Sequence, residues 1–170
     1  MTSAIGALKG PLHGGAAGDA FKTLKEIGSV DNVESYARKA LAQDGKISGF
    51  GHRVYKITDP RAVHLQEMSR QLAEKTGNLH FLGIAQRLEE VVIPLLKEKR
   101  VYPNVDFYSG IVYDNLGIPE NLFDSIFAVG RSVGWVAHAL EQLHDNKLIR
   151  PREKYTGKID LPYIQIDKRK

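Results

Sequence analysis

The chain has no cysteine among its 170 residues, which excludes disulfide bridges and thiolate metal sites and fits a reducing, cytoplasmic setting. No apolar run reaches the length needed to span a membrane. The N-terminus lacks the charged, then apolar, then small-residue order of a secretory signal. There is little excess charge: 24 Lys and Arg against 20 Asp and Glu leave a net +4. That balance permits an anionic ligand, and with no basic stripe along one helix it does not point to nucleic acid. There is no H-E-x-x-H helix, no G-x-x-x-x-G-K-[ST] phosphate loop and no G-x-S-x-G elbow. The scattered histidines and carboxylates predict no metal site. Internal repeats and low-complexity segments are absent, and so is any series of alternating strand segments, so the predicted fold class is all-α.

What is present suits a core-forming domain, since 42% of the residues are hydrophobic. Residues 1–9 read as the end of a helix, broken by Gly10-Pro11. A helix over 15–27 would place Ala16, Ala20, Leu24 and Ile27 on one face. Asp31 with Glu34 forms a start signal for a helix to about residue 42. Three glycines and no helical period make 43–58 a loop, and Asp59-Pro60 then caps a helix to about 75 that Gly77 ends. A stripe at Leu82, Ala85, Leu88, Val92 and Leu95 predicts a helix over 79–99, bent or broken at Pro94. After an irregular stretch at 103–107, a short helix over 108–115 closes at Gly117. Pro119 opens the longest helix, to about 146, whose apolar middle predicts a buried element. The basic tail, 148–170, reads as extended.

Two histidines lie in glycine-rich settings, His13 in Gly10-Pro11-Leu12-His13-Gly14-Gly15 and His52 in Gly49-Phe50-Gly51-His52-Arg53. Glycine allows tight turns and close approach of a ligand, and histidine titrates near neutral pH. A bland alternative exists for each, a loop side chain bonded to nearby backbone. Asp106 lies between Val105 and Phe107, where burial would make it a stronger base; otherwise it caps the helix that follows. Arg131 falls within the apolar helix, so it pairs with an internal carboxylate or clamps a ligand. Arg61 and Arg150 read as solvated when taken alone, but three arginines together would suit a dicarboxylate. Gly49 and Gly51 beside Arg53 and Lys56 could hold a phosphorylated ligand. His138 reads as a core histidine.

These segments resemble the signatures of one family. Ala4-Ile5-Gly6-Ala7-Leu8-Lys9-Gly10-Pro11-Leu12-His13-Gly14-Gly15-Ala16 is similar to the first signature of citrate synthases. Gly49-Phe50-Gly51-His52-Arg53-Val54-Tyr55-Lys56, with Asp59-Pro60-Arg61, resembles the second, and Asn104-Val105-Asp106-Phe107-Tyr108-Ser109-Gly110 the third. The resemblance covers nearly the whole chain, with the motifs in the expected order. It departs after Ala16, where the family usually continues with Asn-Glu and this chain has Ala17-Gly18-Asp19.

The resemblance implies an all-α dimer that condenses acetyl-CoA with oxaloacetate to citrate and free CoA. Acetyl-CoA is a substrate, and no cofactor is implied. Asp106 would take a proton from the acetyl methyl, His13 would hydrogen-bond the thioester oxygen, and His52 would polarise the oxaloacetate carbonyl. Arg61 and Arg131 match the family's carboxylate-binding arginines, and Arg150 the one given by the partner subunit. The loop around Ile47, Gly49, Phe50 and Gly51 would hold the CoA adenine, with Arg53 or Lys56 reaching a phosphate. The implied layout is the end of a large-domain helix and first catalytic loop at 1–15, a small domain at 16–118, and a large-domain helix and tail at 119–170. The motifs correspond to the family's second half. The remaining large-domain helices, with another oxaloacetate-binding histidine, are therefore expected in a missing N-terminal half, in cis or as a second chain, so that the expected assembly is a homodimer or a complex with that half, and apolar surface is left exposed here. Two alternatives stay open: a module that retains CoA binding at most, and a methylcitrate synthase using propionyl-CoA, since one methylene is worth little in a pocket.

Overall fold

The computed structural model describes residues 1–9, 15–43 and 45–169. Among the described residues there are seven α-helices and no strand: α1 (Thr2–Lys9), α2 (Ala16–Ile27), α3 (Val33–Gln43), α4 (Pro60–Thr76), α5 (His80–Leu95), α6 (Val105–Asn115) and α7 (Phe123–His144). The all-α expectation is met. No helix among them is long and apolar enough to cross a membrane.

Helix α6 is the centre of the packing, because α4, α2 and α5 all lie against it. Phe107, Tyr108, Ser109, Gly110, Ile111 and Val112 are buried in succession, so this helix is enclosed on nearly every side. Gly110 permits the closest crossing. A Cβ there would stand 2.7 Å from Cβ of Phe21 on α2, so only glycine lets the two backbones approach this far. Phe21 in turn packs on Phe81 and Phe123, with ring centroids 4.8 and 5.7 Å away.

The helix boundaries follow local chemistry. Asp59 caps α4, its Oδ1 accepting the Arg61 backbone N–H at 2.9 Å, and Gly77 ends it at φ 74°. Helix α5 stops one residue after Pro94, and the turn Lys97–Lys99 follows as a 3-10 helix. Asp31 does not cap α3; it lies inside a 3-10 turn, Val30–Asn32, that leads into the helix. Helix α6 starts three residues earlier than the spacing predicts, because Asn104 is its cap. Asp106 is therefore a first-turn residue and not the cap.

Helix α7 corrects a larger expectation. Its apolar middle predicts burial, yet Phe123 is its only buried residue. Val129, Val133 and Leu140 are 68%, 73% and 63% exposed. The helix packs chiefly against α1 and α2, which leaves most of its circumference in solvent. His138, expected in the core, has a side chain 84% exposed beside Glu141. The tail after α7 is irregular and exposed, apart from a short 3-10 turn at Ile166–Lys168.

Candidate active site

The loop carrying His52 is fastened to the segment that opens α6. The Gly51 N–H donates to the Tyr102 carbonyl at 2.8 Å, and the Asn104 N–H donates to the Gly49 carbonyl at 2.9 Å. Between them Phe50 and Pro103 form an isolated antiparallel bridge. Gly49 has φ +85°, and a Cβ on it would meet Phe107 at 2.8 Å from Cδ2 and 3.0 Å from Cα. Both conformation and space therefore demand glycine. The Asn104 side chain adds two bonds, with Nδ2 donating to the Gly51 carbonyl at 2.9 Å and Oδ1 accepting the Asp106 N–H at 2.9 Å. Through these contacts the second and third motifs form one assembly.

His52 projects from this loop over Tyr55, with the rings stacked at 4.5 Å. Its Nδ1 accepts backbone N–H groups from Val54 and Tyr55, each at 3.1 Å. A nitrogen that accepts carries no hydrogen, so the neutral ring has its proton on Nε2. The backbone bonding expected of an idle loop histidine is thus present, and it has a chemical consequence: it aims an Nε2–H donor outward. Nη2 of Arg61 lies 3.3 Å from that Nε2. In that tautomer both nitrogens can donate to a ligand oxygen placed against them.

Arg61 is held by Asp59. Its Nε donates to Oδ1 at 3.0 Å and its Nη2 to Oδ2 at 2.7 Å, a two-point pairing that fixes the guanidinium plane. The Asp59 side chain is 1% exposed and that of Arg61 44%. The Arg61 hydrogen bonds hold the Asp59 carboxyl below its ordinary range, against the opposing effect of burial. The pairing with Asp59 also raises Arg61, and the negative charge of Asp106 contributes in the same direction. Asp106, half-buried in the first turn of α6, therefore acts on the same guanidinium that approaches His52.

The remaining expected residues fall as follows. His13 lies outside the described residues. Two positions on, the Gly15 N–H donates to Oδ2 of Asp124 in the first turn of α7 at 2.8 Å. Ile47 and Phe50 turn their side chains into the core, Phe50 against Phe107 at 4.6 Å, so what they can offer a ligand is main chain. Arg53 and Lys56 are exposed and free to reach an anion. Arg131 is half-buried on α7 with its guanidinium 5.0 Å from the Phe127 ring centroid. It is neither a deeply buried charge nor one of the contacts described around His52. Arg150 is exposed beyond α7. Among the described residues no group of three His, Asp or Glu could hold a metal ion.

Four residues of this assembly have no role in the sequence reading beyond local capping: Tyr55, Asp59, Asn104 and Asp124. For Asp59 the available signal was Asp-Pro-Arg, since a cap carboxylate two residues before an arginine can bind its side chain as well as its N–H. The links from Asn104 and Asp124 are long-range, and no local spacing reveals them.

Residues 1–152 match the family described as citrate synthase, C-terminal domain. The chain is 53% identical over 169 residues to citrate synthase 2 of Bacillus subtilis, covering 99% of this chain and 45% of that protein. It is 50% identical over 169 residues to a citrate synthase of Synechocystis, again over 99% of this chain and 43% of the relative. Among solved structures, citrate synthase from Thermoplasma acidophilum in ternary complex with carboxymethyl coenzyme A and oxaloacetate superposes with a TM-score of 0.83. That pair is 40% identical, over 96% of this chain and 44% of the other. Citrate synthase from Thermotoga maritima gives a TM-score of 0.79 at 50% identity, over 97% and 45% of the two chains. The chain thus spans less than half the length of the relatives it matches. On the signatures, the fold and these matches, the chain belongs to the citrate synthase family.

Proposed function

We propose that this chain carries the catalytic centre of an acyltransferase that condenses acetyl-CoA with oxaloacetate to citrate and free CoA. The observation that supports it most directly is that His52 Nε2 and the Arg61 guanidinium are brought within 3.3 Å of each other. A keto acid supplies an acceptor for each, its carbonyl oxygen for His52 and a carboxylate for Arg61.

The acetyl methyl is a very weak acid. Asp106 removes one of its protons while His13 donates a hydrogen bond to the thioester oxygen, where negative charge gathers. The resulting enol carbon attacks the oxaloacetate carbonyl carbon. A carbon–carbon bond forms, the carbonyl π electrons move to oxygen, and His52 stabilises that oxygen. Water then cleaves the citryl thioester, releasing citrate and the CoA thiol. Arg61, Arg131 and Arg150 bind carboxylates, with Arg150 acting on the site of a partner subunit. The loop Ile47, Gly49, Phe50 and Gly51 receives the adenine through its main chain, and Arg53 or Lys56 binds a phosphate. The reading needs no metal or cofactor and places the enzyme in the cytoplasm.

In the same reading, residues 16–118 are a small domain, and 1–15 with 119–170 belong to a large one. The exposed apolar side of α7 supports completion of that large domain by the N-terminal half of the family, within a homodimer. The test is release of CoA thiol from acetyl-CoA and oxaloacetate by the chain, alone and mixed with the N-terminal half, beside Asp106→Ala. Turnover in either form, lost in the variant, is expected. No turnover in both forms, with CoA binding retained, would replace the reading with a non-catalytic module.

A further inference from the structure

We propose that Asn104 is a positioning residue that sets the placement of His52 relative to Asp106. The inference rests on the reaction assigned above and extends it to a residue that touches neither substrate. Besides accepting the Phe107 N–H at its carbonyl, Asn104 makes three hydrogen bonds that run to both sides of the site. Its N–H donates to the Gly49 carbonyl, Nδ2 donates to the Gly51 carbonyl, and Oδ1 accepts the Asp106 N–H. Gly51 is the residue before His52, so one side chain is bonded to the peptide units of both acting residues. The two lie 54 positions apart in the sequence.

The geometry requires an amide. Capping α6 needs only an acceptor, which aspartate or serine supplies. Holding the Gly51 carbonyl at the same time needs a donor on a second atom of the same short side chain; a serine hydroxyl has donor and acceptor on one oxygen, and asparagine alone among the common caps carries them on separate atoms. The loop has reason to need that tie. Gly49 and Gly51 both adopt positive φ, +85° and +92°, and glycine-rich backbone is free to move unless it is bonded. In this reaction the carbon made nucleophilic by Asp106 must meet the carbonyl held by His52, and displacement by about 1 Å can lower the rate on the order of 100-fold.

The experiment uses Asn104→Asp, which keeps the cap acceptor and has no donor for the Gly51 carbonyl, with Asn104→Ser, whose single oxygen replaces two separate atoms, as the second cap-preserving variant should aspartate fail to fold. Amide hydrogen exchange is followed in the chain, and kcat and KM are measured in the complex with the N-terminal half. The expected result is faster exchange at Gly51 with the α6 amides still protected. With it, kcat should fall about 10- to 100-fold while KM for both substrates stays within about threefold. A residue that merely caps a helix would move neither quantity in a cap-preserving variant. Unchanged Gly51 exchange, or an unchanged kcat, would overturn the proposal. If the unsubstituted complex releases no thiol, the assigned reaction fails instead, and Gly51 exchange still decides whether the tie exists.

Discussion

Nη2 of Arg61 and Nε2 of His52 stand 3.3 Å apart. Nδ1 of the histidine accepts two backbone N–H groups, which suits the tautomer with its proton on Nε2. A ligand that places acceptor oxygens against the pair engages both. Arg61→Gln keeps a donor of reduced reach and removes the charge. Charge-assisted hydrogen bonds are worth about 1.5–3 kcal/mol, which corresponds to roughly 10- to 100-fold in affinity. Calorimetry with oxaloacetate should show a loss of that size, while CoA binding changes little. Equal loss for both ligands would mean that the arginine supports the fold and not the keto acid.

The Asp59 carboxylate gives the chain an acid-sensitive point. Its pKa is lowered in the folded protein by the Arg61 hydrogen bonds. A depressed folded pKa contributes stability that is complete above the unfolded value, near 4, and is lost as pH falls through the lower folded value. Asp59→Asn should therefore cost about 1.5–3 kcal/mol at pH 7, the usual worth of hydrogen bonds to a charged group. The gap between variant and parent should narrow as the pH drops below 4. Urea titrations across that range measure it, and a gap constant with pH would show that the charge contributes nothing.

Much of this fold can be read from the sequence because its stops and starts are local. Asp59-Pro60, Gly77 and Pro94 each act through backbone chemistry within a few residues, and each element edge falls where they place it. The beginning of α6 is not legible in the sequence, because Asn104 follows Pro103 and that context reads as irregular until the cap bond to Asp106 is seen. Helix α7 misleads for another reason. An apolar helix signals a need for cover, and composition cannot say whether the cover lies in the same chain. At the site, His52, Arg61 and Asp106 were legible from their motifs. The Asn104 bridge was not, because it joins segments more than 50 residues apart.

Gly49 and Gly110 look alike in the sequence and differ in what they protect. A methyl group on Gly110 would press on Phe21 at 2.7 Å, while one on Gly49 would press on the Phe107 backbone and force a residue with a side chain to φ +85°. Overpacking typically costs 1–3 kcal/mol, and alanine in a helix regains about 1 kcal/mol over glycine. Gly110→Ala should therefore destabilise by no more than roughly 2 kcal/mol. Gly49→Ala has no helical gain and adds about 1–2 kcal/mol of left-handed strain, so its loss should be the larger. Thermal unfolding of the two variants ranks them, and the reverse order would contradict the packing described.

Along α7, Ile126, Val129, Val133, Val136, Leu140 and Leu143 are all exposed, the least by 37% and the most by 73%. Their spacing alternates between three and four residues, the pattern of a seam that packs against another helix. Gly130 and Gly134 have nothing within 4 Å of a would-be Cβ, so the adjoining surface is open to close approach. An apolar stripe of this length in water should make the isolated chain associate as its concentration rises and bind an apolar dye. Val129→Lys with Val133→Lys places two charges in the middle of the stripe. Since both side chains face solvent, stability should change by no more than about 0.5 kcal/mol, while association and dye binding fall sharply. Sedimentation velocity resolves the point: a parent chain that stays monomeric and binds no dye at high concentration would mean that the stripe is covered from within.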